Sequence, residues 1–144
     1  MKIVLCVLWV AMCCLSCQKA NENKKNPVTF LEGKWELRKV QAGMSPEVNF
    51  KPGNGTRLEF KDSTYKRFEK GILSMTGHYS LVADNTAMQE TGLVLTPGEF
   101  DKRVIFDKDD TSSKIFLNIS GEELTLLSGF FPVDGGTKTI YSRE

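Results

Sequence analysis

Few residues in this sequence have the types and spacing that chemistry needs. His78 is the only histidine. One imidazole cannot build a histidine-rich zinc site, and His78 has no serine or cysteine motif beside it for nucleophilic catalysis. It reads as an ordinary strand residue. Asp107, Asp109 and Asp110 place three carboxylates within four positions. Such density could hold Ca²⁺, but the segment lacks the glycine and the terminal glutamate of an EF-hand loop, so it reads as a solvated hairpin tip. Gly53-Asn54-Gly55 precedes a strand pattern and no helix, which is not a phosphate cradle. Glu99, Asp101, Glu122 and Glu123 have no evident acid or base partner. Tyr65, Arg67, His78 and Tyr79 are the only pieces from which a polar reacting centre could be assembled. No enzyme, cofactor or metal is therefore expected.

The four cysteines all lie at positions 6, 13, 14 and 17. They belong to an N-terminal segment in which Met1-Lys2 precedes the apolar run 3–15 (IVLCVLWVAMCCL). That run is too short for a membrane-spanning helix, which needs about 20 residues. It reads as a secretory signal. It ends at Leu15-Ser16-Cys17, with Gln18-Lys19 following. This junction resembles the bacterial lipobox, although Cys14 stands where a leucine is usual. The resemblance implies a signal peptide over 1–16 and a diacylglyceryl-modified Cys17. Membrane attachment would follow, in the outer membrane of a Gram-negative bacterium by family analogy. The processed chain would keep no thiol free for a disulfide, so its core alone must hold it. Residues 17–26 read as a polar tether, of which 19–26 would reach about 25 Å if extended at about 3.3 Å per residue. The folded domain is then expected over 27–144.

The whole chain has 144 residues, with 19 Lys+Arg against 18 Asp+Glu. That length suits one domain. The balanced charge argues against a nucleic-acid partner, and the cations at 57, 66, 67, 70, 102 and 103 are interleaved with carboxylates. Nine Phe, two Trp and three Tyr argue against disorder.

The elements that must position these residues are strands. From Trp35 onward apolar residues recur at period two. Strands are expected at 34–41, 56–61, 64–70, 77–82, 92–96, 102–106, 114–120, 123–128 and 137–143, with turn residues between most of them. No helical stripe is evident beyond residue 33, and 28–31 fits a short helical turn before the first strand. The pattern predicts an all-β fold, an antiparallel up-and-down barrel of about eight strands. Alternation predicts an inward set: Leu58/Phe60, Tyr79/Leu81, Leu93/Leu95, Val104/Phe106, Ile115/Leu117/Ile119 and Leu124/Leu126. The parity around 65–68 stays open, because apolar residues occupy both faces there. Residues 42–55 (AGMSPEVNFKPGNG) form an unusually long connection, expected to fold onto something apolar.

Leu31-Glu32-Gly33-Lys34-Trp35-Glu36-Leu37 resembles the opening of lipocalin-like domains, and Tyr141-Ser142-Arg143 is similar to the Tyr-x-Arg ending of small lipocalin-like lipoproteins of Bacteroidetes-type bacteria. The META-type domain also opens with Gly-x-Trp, but its mid-chain Gly-Cys-Asn element is missing from 71–77 (GILSMTG). The resemblance covers about 27–144. It implies barrel closure by Gly33, Trp35 and Arg143, the arginine stacking on the indole. An eight-stranded barrel has room for packed side chains or one small ligand, so a small apolar molecule is expected to enter the open end under loop 42–55. Loop position and strand parity suggest Met44, Phe50, Leu58, Phe60, Tyr79 and Leu81 as its wall. The alternative is a filled barrel that serves as a protein-interaction or structural module of the cell envelope.

Overall fold

A computed structural model describes residues 30–144. The expected signal peptide, Cys17, the tether and the domain start at residue 27 lie outside the described residues. So do positions 28 and 29 of the expected helical turn; Phe30 and Leu31 are helical.

Nine strands follow: β1 (Gly33–Ala42), β2 (Val48–Asn49), β3 (Arg57–Lys61), β4 (Thr64–Glu69), β5 (Ile72–Ala83), β6 (Lys102–Phe106), β7 (Ile115–Ser120), β8 (Glu123–Ser128) and β9 (Thr137–Arg143). Each pairs antiparallel with its neighbour, and β1 pairs with β9 as well as β3. Eight strands thus close into a barrel. The ninth, β2, adds to the far half of β1 at Lys39 and Val40. Closure gives every wall strand a partner on both sides along part of its length, while residues 72–77 of β5 and 118–120 of β7 pair on one side only. Tight turns set the registers. Lys70 and Gly71 both have positive φ, 51° and 83°, the twist a two-residue hairpin requires.

One face of each strand turns inward. Leu58, Phe60, Tyr65, Tyr79, Val104, Leu117, Leu124 and Leu126 pack with Leu31 and Trp35 into a single inner core. The parity at 65–68 is resolved here. Tyr65 is buried inside, whereas Phe68 pairs with Arg57 on the outer face, where the Arg57 guanidinium lies 4.1 Å from its ring centroid.

Segment 92–96 is not a strand. Tyr79–Ala83 pair directly with Lys102–Phe106, so no edge remains for it between β5 and β6. The connection instead crosses the outside of the wall. It begins with a short helix, α1 (Ala87–Thr91), which the sequence reading did not anticipate. Ala87, Leu93, Leu95 and Phe100 then pack on Phe116, Leu127 and Phe131 as a second, outer core. The Leu93/Leu95 alternation therefore serves an extended segment lying against the sheet, outside the barrel. Thr125, on the same outer face of β8 as Leu127, is buried as well. Strand β5 also begins earlier than expected, at Ile72. Its first half pairs with β4 across a bulge at Ser74 that breaks the alternation.

The end of the barrel near residue 31 is sealed. Trp35 is fully buried, and its Nε1 donates to Leu31 O at 2.7 Å. The Arg143 guanidinium lies 4.1 Å from the Trp35 ring centroid and donates to the carbonyls of Glu32 (2.7 Å) and Phe30 (2.9 Å). Gly33, at φ +133°, lets the arginine through: a Cβ there would stand 2.6 Å from Arg143 Nη1.

Candidate functional site

The sealed half of the barrel is filled by aromatic rings. Phe60 and Tyr79 meet edge to face at 5.0 Å, and Tyr65 meets Phe106 at 4.6 Å. Beyond these rings the packing stops. A cavity of about 340 Å³ occupies the opposite half. Its apolar wall is Leu58, Tyr65, Met75, Phe106, Ile115 and Leu126. Its polar wall is Arg67, Ser128, Thr137, Thr139 and Tyr141. The volume lies within the range of small-molecule sites, which are mostly apolar with a few placed polar groups.

The alternation of the strands explains this division. Along β4 the inward positions toward the open end run Tyr65, Arg67, Glu69. Along β8 they run Leu124, Leu126, Ser128. Along β9 they run Tyr141, Thr139, Thr137. Three strands change from apolar or aromatic to polar as they approach the mouth. The interior is hydrocarbon-like at its floor and rich in hydroxyls and charge at its rim.

A second space adjoins the first. A groove of about 550 Å³ on the rim is lined by Leu37, Phe50, Thr56, Arg67, Glu69, Lys70, Ile72 and Ser74. Arg67 lines both spaces.

The long connection after β1 is tied to the barrel. Phe50 N donates to Arg38 O (2.7 Å), and Leu37 N donates to Thr56 O (2.8 Å). The Asn54 amide donates to the carbonyls of Leu37 and Lys51, both at 2.8 Å. Beneath it Glu36 is buried, paired with Arg38 and facing Gly55 N. Burial pushes the Glu36 carboxyl up, but the Arg38 hydrogen bond, the Gly53 and Gly55 amides and the Arg38 charge outweigh it and hold it below the ordinary carboxylate range. The bulge at Arg38 marks where β1 leaves β3 and takes up β2.

The six residues suggested as a ligand wall separate. Leu58 lines the cavity and Phe50 the adjoining rim groove. Phe60 and Tyr79 belong to the packed inner core. Leu81 lines a separate depression at the sealed end, beside Phe30 and Ile119. Met44 is 73% exposed, and its N–H donates to Asp134 outside the barrel. Arg67, Met75, Ser128, Thr137, Thr139 and Tyr141 line the cavity without having been singled out for it. The inward parity of β8 and β9, turning hydroxylic toward their open ends, was the signal for most of them.

At the cavity edge the Tyr65 hydroxyl donates to Asp107 Oδ2 (2.8 Å), and Asp107 Oδ1 accepts the His78 N–H (2.8 Å). Burial and the Asp107 carboxylate push the Tyr65 phenol up to about 12. The same two hydrogen bonds, led by that from His78 N–H, hold Asp107 below its ordinary range. Burial also raises Tyr141, with the Thr139 hydroxyl and the Arg67 charge pulling it back. The neighbouring acids are engaged in the loop. Asp109 Oδ1 accepts from Thr111 and Ser112, and Asp110 pairs with Arg103 at 2.6 Å. Among the described residues no group of three His, Cys, Asp or Glu is placed to hold a metal ion. No family model, curated protein or solved structure matches this chain.

Proposed function

We propose that this protein binds a small, largely apolar molecule in the open half of its barrel and does so from a lipid anchor on the cell envelope. The observation that carries the reading is the division of the interior. One half is filled by Trp35, Phe60 and Tyr79, and the other holds a solvent-open cavity of about 340 Å³ beside Leu58, Ile115 and Leu126. An eight-stranded barrel has room either for its own side chains or for one small ligand, and this one divides its length between the two. Burial of apolar ligand surface, at about 25 cal/mol per Å², supplies the affinity. The reading assigns no reaction.

The lipobox-like Leu15-Ser16-Cys17 supports anchoring through Cys17, on the outer membrane of a Gram-negative bacterium by analogy with lipocalin-like lipoproteins. Phe30 lies at the sealed end. An anchor that joins the barrel there leaves the mouth at the other end.

Native mass spectrometry of the protein, extracted from the membranes of its own host into a non-ionic amphipathic polymer, tests the binding. A co-purifying small molecule is expected, and it should be lost in Leu126→Trp, which fills the cavity. A clean apo mass, with no stabilisation by a panel of lipids and sterols, would refute the carrier reading.

A second reading is favoured by Ile72, Leu73 and Met75, at least half exposed on the β4–β5 hairpin. Exposed apolar side chains grouped on one tip suit a protein contact. Cross-linking to an envelope protein through this tip, with an empty cavity, would support it.

A further inference from the structure

We propose that the molecule taken up by the open half is an amphiphile, a single apolar chain with an anionic head, and that Arg67 holds the head. The inference rests on the carrier reading and sharpens it. Arg67 stands where the interior cavity meets the rim groove. The parity that buries Tyr65 turns Arg67 to the same face two residues on. Leu58, Ile115 and Leu126 form the apolar wall, and Thr137 and Thr139 add hydroxyls.

A purely apolar ligand would cover part of the half-exposed Arg67 guanidinium and give it no hydrogen bond in exchange for the water it displaces, which is costly. An anionic head removes that cost. Arg67 has donors to spare. Among the described residues its ion pair is with Glu69, through Nη2 at 3.2 Å, and both side chains are more than half exposed. Exposed pairs of this kind are weak. A guanidinium carries five N–H donors in a planar fork suited to a carboxylate, so a bound head can share Arg67 with Glu69 or displace it. Lys70, on the same groove, adds positive charge. Glu69 opposes the head, which makes it a control of opposite sign.

The test is calorimetric titration of the full chain, held in solution by a non-ionic amphipathic polymer, with decanoate, decanol and decylammonium. Decanoate should bind about tenfold more tightly than decanol, and decylammonium most weakly. Arg67→Gln should abolish the difference between decanoate and decanol. Glu69→Gln should tighten decanoate and leave decanol unmoved. Equal binding of decanoate and decanol by the wild type, or a preference that survives Arg67→Gln, would overturn the anionic head and leave the carrier reading standing. No binding of any of the three would overturn the carrier reading, and this inference with it.

Discussion

The Tyr65 hydroxyl and the Asp107 carboxylate are joined by a 2.8 Å hydrogen bond that ties β4 to the loop after β6, across β5. Asp107 adopts a left-handed φ of 52° to reach it. The second carboxylate oxygen takes the His78 N–H, over the bare Cα of Gly77. A Cβ on residue 77 would stand 2.0 Å from Asp107 Oδ1.

Gly77→Ala should therefore destabilise the barrel by about 1–3 kcal/mol, the usual cost of forcing atoms into filled space. In an Asp107→Gly background the same substitution should cost much less, because the obstructing carboxylate is gone. Urea unfolding of the four proteins in this cycle measures the coupling directly.

The seal at the other end makes a separate prediction. Arg143→Ala removes the stack on Trp35 and leaves two backbone carbonyls without their donor, at a cost of about 2 kcal/mol. Arg143→Lys should recover only part of it, because an ammonium has no planar fork with which to stack and reach both carbonyls. Thermal unfolding distinguishes the three.

The pH dependence of stability has two arms. Asp84 is largely buried between Arg103 (3.0 Å) and Lys114 (3.1 Å), and it accepts from Thr86. Burial pushes its carboxyl up, but the Thr86 and Lys114 hydrogen bonds and the Lys114 charge outweigh it, so it sits below its ordinary value. A carboxyl depressed in the folded state stabilises above its unfolded pKa of about 3.9 and loses that contribution as pH falls through the folded value. Acid unfolding should begin below about pH 4, and Asp84→Asn should flatten that limb. At high pH, burial is the first cause that raises Tyr65 and Tyr79, each to about 12. Their neutral forms stabilise the fold up to the unfolded pKa of about 10, and the contribution disappears as pH rises toward 12. Tyrosinate absorbance should rise together with loss of far-ultraviolet structure in that window. Tyr79→Phe should move the transition upward.

Cys17→Ser should abolish incorporation of a labelled fatty acid and release the protein from the membrane fraction. Incorporation that persists in this variant would place the anchor elsewhere.

Much of the wall was legible, because period-two alternation survives wherever one face of a strand is buried. It failed where the physical reason for alternation changed. Leu93 and Leu95 alternate because an extended segment lies on the outer face of Phe116 and Leu127, and only the direct pairing of β5 with β6 shows that. The start of β5 was hidden by the bulge at Ser74, which shifts the register. The cavity was less legible than the wall. Phe60 and Tyr79 have the parity of lining residues, yet their ring contact fills the space. Arg67 reads as one charge among several on a solvated strand until β4 is seen to turn it into the mouth.

An apolar molecule bound in the open half of the barrel should touch that half and no other part of the protein. Methyl-resolved NMR of the protein titrated with decanol tests it most directly. Shifts are expected at Leu58, Met75, Ile115 and Leu126, with Leu31 and Leu124 in the packed half unmoved. Shifts confined to Leu81 and Ile119 at the sealed end, or none at all, would contradict it.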